Sequence, residues 1–461
     1  MHRLAATPGG WNPDAEGVIF LEQTPAPIII LTAADTDIQT LAASVPLLPE
    51  GFPALRVANL LQLQQQLSID SYAESILAQG EIIILRLLGG RSYWNYGLEV
   101  VKETAASTGA HLLIIPGDDR PDTDLFSHSN LPLSVVDRLW RYFTEGGIDN
   151  FLNGLLFVSD VCLNTDYQPP APETVPRLGM YTRFTQSLSI GRNIGAGTHH
   201  SPPLQSVGLL FYRAHYLAGN LAPINALCDA LIKREIYPIP FFVSSLRDKE
   251  VQGDLLSYFA QHPIELLLNT TSFAITEIGK EEQTQFWHQL DVPVLQVIFS
   301  SSTLERWEES FQGLSPRDVA MNVALPEIDG KIITRAVSFK AVETWNRELE
   351  TEVVVYQPQL DRVNFVADLT ANWLSLRKTP PAERKIALIL ANYPNKDGRI
   401  ANGVGLDTPA SCIEILNALE KAGYCLADIP LDGDELIKRL TSAVTNDVES
   451  RELRQVNQSL D

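Results

Sequence analysis

Short apolar runs alternate along this chain with stretches in which apolar residues recur every three or four positions. Runs at 28–31, 55–57, 82–88, 112–115 and 155–158 have almost no polar interruption, the pattern of strands buried on both faces of a parallel sheet. The segments between them, such as 72–78 and 135–143, have helical length and period. A proline-rich polar stretch at 168–176 and a loop-like one at 193–203 mark the end of this unit, and residues 181–189 between them have no evident pairing. The alternation then restarts, with strands predicted at 207–212, 238–243, 264–268 and 294–299 and helices at 225–233, 248–260 and 281–290. After Ala336 the pattern turns helical, most clearly at 362–376, until Thr379-Pro380-Pro381 interrupts it. A last run at 385–390 opens a third unit, followed by a long loop at 391–407 and a charged, helix-prone segment at 435–455.

The fold class expected from this order is α/β: tandem doubly wound parallel-sheet domains, Rossmann-like or flavodoxin-like, with a helical connecting region. The division expected is a first α/β domain at 1–170, a linker at 171–205, a second α/β domain at 206–338, a helical connector at 339–384 and the start of a third, truncated α/β unit at 385–461. In such sheets ligands bind beyond the carboxyl ends of the strands.

Composition narrows the function classes. With 35 basic and 56 acidic residues the chain carries a net charge of −21, which repels phosphate backbones and anionic lipid and argues against nucleic-acid binding. The four cysteines, Cys162, Cys228, Cys412 and Cys425, form no CxxC pair, so a zinc knuckle or disulfide framework is not indicated. No run approaches 18 apolar residues and residues 1–11 lack the features of a secretion signal, so no membrane span and a cytoplasmic location are expected. A Walker A loop, a GxGxxG opening a helix, HExxH and GxSxG are all missing, and any ATP requirement is expected to be met by another chain.

Candidate chemistry sits where predicted strands end. Tyr212-Arg213-Ala214-His215 and the following Gly219-Asn220 come directly after the strand at 207–212. A neutral His215 can ligate a divalent metal or accept a proton, and Arg213 can pair with a carboxylate; the alternative for His215 is a hydrogen-bonded loop histidine. Asn269-Thr270-Thr271-Ser272 follows another strand, where it lines the same rim or caps the next helix. In Pro326-Glu327-Ile328-Asp329-Gly330 the two carboxylates share a face if the segment is extended and can then hold a metal or take up protons, or else they form an Asx-type turn. The loop at 391–407 offers Lys396, Arg399 and Asn402 with several glycines to an anionic ligand, or is simply a hydrated surface loop. If the second and third units face each other, His215, residues 269–272 and this loop line one cleft with Glu327 near its rim. His199-His200, amid glycine and proline, is a weaker candidate. Tyr93, Trp94 and Tyr96 can stack on a flat ring or staple their loop to the following helix, the latter being favoured.

Four stretches together resemble one family. LRLLGGRSYWNYGLE (85–99), GLLFYRAHYLAGN (208–220), GLSPRDVAMNVALPEID (313–329) and IALILANYPNKDGRIANGVGLDTPAS (386–411) are similar to the family of cobaltochelatase large subunits, which also holds the porphyrin-binding H subunit of magnesium chelatase. The aromatic RSYWNYG and YRAHYLAGN segments resemble the cobalt-using branch more than the magnesium one. Members are usually more than twice this long, so the chain resembles an N-terminal portion. The resemblance implies a tetrapyrrole- and metal-binding subunit of an ATP-dependent ligase-type enzyme that inserts Co²⁺ into hydrogenobyrinic acid a,c-diamide during cobalamin biosynthesis. AAA+ ATPase partner subunits, not this chain, would bind ATP and Mg²⁺. It implies catalytic roles for His215 and Glu327, substrate contacts from Arg213, Asn220, Thr271, Lys396, Arg399 and Asn402, and metal contacts from His215, Glu327 and Asp329. The alternatives are a non-catalytic tetrapyrrole carrier or docking module, and a chelatase subunit for another metal, such as Mg²⁺ into protoporphyrin IX.

Overall fold

The computed structural model describes residues 17–182, 205–276, 285–393, 395–449, 452 and 454–456. His199, His200 and most of 181–189 lie outside these residues. The chain divides into two compact units, residues 1–370 and 371–461.

The larger unit contains two sheets. In the first, β1 (Ile28–Thr32), β2 (Leu55–Asn59), β3 (Ile82–Leu87) and β4 (His111–Pro116) lie parallel in the order β2-β1-β3-β4. Both faces are covered. Ile28, Ile30, Val57 and Ile84 pack on one side against the helices Leu133–Glu145 and Ile148–Leu163, and Ile29, Leu31, Ile83 and Leu85 pack on the other against Gln66–Ser75 and Asn95–Thr108. This double burial explains why the strands read as unbroken apolar runs.

The second sheet contains β5 (Leu178–Met180), β6 (Gln205–Tyr212), β7 (Ile236–Val243), β8 (Leu266–Asn269), β9 (Val294–Thr303), β10 (Ile332–Asn346) and β11 (Thr351–Pro358). Its order is β11-β10-β9-β8-β6-β7-β5, parallel from β10 through β7, with antiparallel β11 and β5 on the two edges. In both sheets the chain moves from its first parallel strand to one side and then returns to build the other. The order therefore reverses at β1/β3 and at β6/β8, where α/β sheets open a crevice at their carboxyl edge.

Three expectations are corrected. Residues 155–158 are not a strand: they lie inside the helix Ile148–Leu163, whose Phe151, Leu155, Val158 and Cys162 form one buried face. A four-residue apolar run fits a buried helix as well as a strand, and here the flanking period decides. The connector expected to be helical from 339 begins instead with the β10–β11 hairpin, and the helix Leu360–Lys378 follows it. β10 is buried near its middle and exposed toward its end, so it lacks the continuous apolar signal of the central strands. Thirdly, residues 385–390 form no strand. Ile386, Leu388 and Ile389 are exposed, and no described strand runs beside them to complete a ladder.

The aromatic segment at 91–97 is a staple. Trp94 is buried and its Nε1 donates to Leu63 O at 2.7 Å, while the exposed Tyr96 hydroxyl donates to Asp70 at 2.8 Å. Gly97 lies directly against that indole, where an added Cβ would fall 2.2 Å from Trp94 Cε2. Gly97→Ala is expected to destabilise the larger unit by about 1–3 kcal/mol through overpacking, measured as a lowered denaturation midpoint.

In the smaller unit, helices Thr408–Lys421 and Gly433–Leu440 pack through Cys412, Ile413 and Leu436. Asp407 caps the first of these, accepting from Ala410 N at 3.0 Å. Among the described residues no helix is long and apolar enough to cross a membrane.

Candidate functional site

A cavity of about 180 Å³ lies beyond the carboxyl ends of β1 and β6, the two strands at which the sheet orders reverse. From the β1 side it is lined by Ala33, Asp35, Thr36 and Gln39, from the β6 side by His215 and Asn220, and from the hairpin by Lys340, Val354, Val355 and Tyr356.

The residues after β6 turn at once into the short helix Arg213–Leu217, which fixes His215. Its carbonyl accepts from Asn220 N at 2.9 Å, and the Asn220 side-chain oxygen accepts from Tyr356 N at 3.2 Å. The imidazole is enclosed by rings: Tyr356 at 5.4 Å, Phe299 at 6.0 Å and Tyr212 at 6.4 Å between centroids. Among the described residues its buried Nδ1 has no hydrogen-bond partner. Burial, assisted by the nearby Lys340 charge, pushes the His215 pKa down from 6.5 to about 4, so the ring is neutral near pH 7.

Opposite stands an ion pair between elements far apart in the chain. Lys340 Nζ meets Asp35 Oδ2 at 2.5 Å, and Asn59 donates to Asp35 Oδ1 at 3.2 Å. Burial lowers the Lys340 pKa, but the Asp35 carboxylate and Tyr356 together outweigh it and the net shift is upward. Gln39 donates from Nε2 to Val354 O, and among the described residues its buried Oε1 has no partner.

The pH response of His215 has a definite sign. Between pH 6.5 and 4 the unfolded chain carries a proton here that the folded chain refuses, so stability decreases as pH falls through that window, by up to about 3 kcal/mol. Denaturation midpoints of wild type and His215→Gln are expected to converge as pH drops from 7 to 4.

The other residues singled out in the sequence serve different surroundings. Arg213 reaches back to the carboxyl end of the helix Leu133–Glu145, donating to Thr144 O, Glu145 O, Val175 O and Pro176 O at 2.7–3.2 Å and pairing with Glu145 at 3.3 Å. Thr271 belongs to a closed buried network at the end of β8: its hydroxyl donates to Asn269 Oδ1 at 2.8 Å, and Asn269 and Gln296 donate to its carbonyl. This network sits at the strand end as expected, but among the described residues it caps no helix.

Glu327 is exposed on the short helix Leu325–Ile328, whereas Asp329 turns inward, accepts from Ile275 N and Thr276 N, and pairs with Lys331 at 3.2 Å. The extended geometry that would aim both carboxylates one way is replaced by helical geometry, in which residues two apart diverge. Among the described residues, no three His, Cys, Asp or Glu side chains come together to hold a metal, so His215, Glu327 and Asp329 do not form one cage. In the smaller unit Lys396, Arg399 and Asn402 are exposed, with Lys396 3.6 Å from Glu449. Their loop does not leave the end of a strand, because 385–390 is not one.

Asp35, Gln39, Lys340 and Tyr356 escaped the sequence reading. Asp35 carried a usable signal, since it follows β1 as His215 follows β6; Lys340 and Tyr356 lie in the hairpin, which the sequence did not disclose.

The CobN/Magnesium Chelatase family profile matches residues 140–461. The chain belongs to this family. It is 40% identical over 460 residues to the aerobic cobaltochelatase subunit CobN of Pseudomonas aeruginosa, an alignment covering 100% of this chain and 36% of that protein. To the magnesium-chelatase H subunit of Chlorobaculum parvum it is 29% identical over 252 residues, 52% of this chain and 18% of that one. Among solved structures, the catalytic subunit of cobaltochelatase from Mycobacterium tuberculosis superposes with a TM-score of 0.55 at 28% identity, covering 90% of this chain and 33% of that chain. The chain thus spans about a third of the length of the cobaltochelatase relatives it matches.

Proposed function

We propose that this chain is part of the large subunit of an ATP-dependent cobaltochelatase, which inserts Co²⁺ into hydrogenobyrinic acid a,c-diamide in cobalamin biosynthesis, with AAA+ ATPase subunits as partners. The observation that carries the reading is its 40% identity along the whole chain to a cobaltochelatase subunit, against 29% over half the chain to the magnesium-chelatase relative. The chemistry of the cavity is compatible with it. Metal insertion needs a host that holds the ring, and the cavity sets the charged Asp35 and Lys340 and the polar Asn220 together at the strand ends. The ring itself lies outside the cavity in this reading, because ligand pockets that enclose molecules of that size run to about 300–1,000 Å³.

Titrating the chain with the diamide ring is expected to quench its tryptophan fluorescence saturably. Adding ATPase subunits and Co²⁺ to the full-length subunit is expected to give insertion. Saturable ring binding without insertion by the full-length complex would make it a carrier, and preferred insertion of Mg²⁺ would overturn the cobalt assignment.

A further inference from the structure

An open groove of about 630 Å³ is lined by Glu22, Gln23 and Thr24, from the segment before β1, and by Trp345, Arg347 and Glu350 of the β10–β11 hairpin. It shares no lining residue with the cavity at the strand ends. Three of the six form a committed floor. Glu350 accepts from Thr24 N at 2.5 Å and from Thr24 Oγ1 at 2.7 Å, and pairs with Arg56 at 3.0 Å. The Thr24 hydroxyl in turn accepts from Arg56 at 2.5 Å. Gln23 donates to Val57 O at 3.0 Å and to Glu350 O at 2.8 Å, while its Oε1 accepts from the Tyr72 hydroxyl at 2.7 Å. The other three are uncommitted. Trp345 is 51% exposed, and among the described residues its indole meets no other ring. Glu22 and Arg347 are exposed and, among the described residues, form no ion pair.

We propose that this groove is a docking site for a flat conjugated macrocycle, which lies against the Trp345 indole and turns one of its carboxylates to Arg347. The volume falls within the range of about 300–1,000 Å³ that ligand sites occupy. The indole supplies a stacking face, and a planar guanidinium meets a carboxylate through two parallel bonds. Because the floor's polar groups already have partners, a ring that covers them leaves none unpaired. An extended peptide finds no free ladder there, since Val57 O, Glu350 O and Thr24 N are engaged. The charges of Glu22 and Glu350 are balanced by Arg347 and by Arg56 below the floor, so position decides. An acid beside Arg347 is favoured and one beside Glu22 opposed. A lone exposed tryptophan is ordinary; this one shares its groove with a partnerless cation and a satisfied floor. The inference deepens the function proposed above by placing the ring on this chain, and it rests on that reading only for the identity of the ring.

The test titrates the 461-residue chain with hydrogenobyrinic acid a,c-diamide, and with the same ring methyl-esterified at its acids, and reads binding from the ring's own visible absorption. Trp345→Leu is expected to weaken binding of the acid form by at least about tenfold, and Trp345→Phe, which keeps an aromatic face, by no more than about threefold. Arg347→Gln is expected to weaken the acid form by about threefold or more and to leave the ester within about twofold. Glu22→Gln is expected to tighten the acid form. Both charge variants alter exposed side chains, so their opposite signs decide the matter even if Trp345→Leu fails to fold. Ring binding unchanged in Trp345→Leu and Arg347→Gln would overturn the site and leave the chelatase reading standing. Unchanged ring binding joined to weaker association with the ATPase subunits would make the groove a protein-docking surface and overturn the proposal likewise. If the chain binds neither form of the ring, the site is removed, and insertion by the full-length subunit then decides the function by itself.

Discussion

His215→Ala in the full-length subunit is expected to lower the rate of Co²⁺ insertion by at least about tenfold, equivalent to ~1.4 kcal/mol of barrier. The imidazole lines the cavity at the carboxyl end of β6, is held neutral by burial, and among the described residues has no hydrogen-bond partner for Nδ1. Alanine removes that nitrogen and the contacts with Tyr212, Phe299 and Tyr356 together, so a rate loss alone is ambiguous. His215→Gln, which restores an acceptor, and His215→Phe, which restores only the packing, resolve it. Rescue by glutamine with a KM-dominated defect in phenylalanine identifies a ligand contact. An unchanged rate in a folded His215→Phe subunit would assign the histidine to packing.

Arg86→Leu should be the most damaging single substitution in the first sheet, with a loss of about 3–5 kcal/mol at pH 8, the range for removing one partner of a buried ion pair. Arg86 Nη1 meets Asp37 Oδ1 at 2.5 Å, and both side chains are less than a tenth exposed. Burial raises the Asp37 pKa, against the pull of Arg86 and the hydrogen bond from Thr32. A carboxyl raised on folding takes up its proton more readily in the folded state, so lowering the pH favours that state. Without Arg86 the shift becomes larger, and the variant should recover part of its stability between pH 8 and 5. A denaturation midpoint equally depressed at both pH values would show that the damage comes from lost packing, such as the contact of Arg86 with the Phe143 ring.

The parallel strands were legible because each is buried on both faces, a condition that leaves its mark in consecutive residues. His215 was legible for a topological reason, since a residue just past the first strand of an α/β unit lands at the crevice wherever the later strands fall. Asp35 obeyed the same rule and was hidden by its neighbours, an acidic helix start that any surface helix can show. Lys340 and Tyr356 could not be read locally. Their role depends on the hairpin folding back so that residues about 300 positions from Asp35 meet it, and no period in the sequence records that return. The run at 385–390 shows the opposite failure: β-type composition does not make a strand without a neighbouring ladder.

The β10–β11 hairpin belongs to the second sheet by its hydrogen bonds, yet its turn is fastened to the first. Val57 N donates to Leu349 O at 3.2 Å, Arg56 donates to Glu348 O and pairs with Glu350 at 3.0 Å, and Gln23 donates to Glu350 O at 2.8 Å. Leu349 is itself fully buried in the core of the first sheet. Neither sheet can melt without stripping apolar cover or backbone partners from the other, so the two behave as one cooperative folding block. Amide exchange in β2 and in β11 should then report the same opening free energy, although the two strands lie in different sheets and almost 300 residues apart.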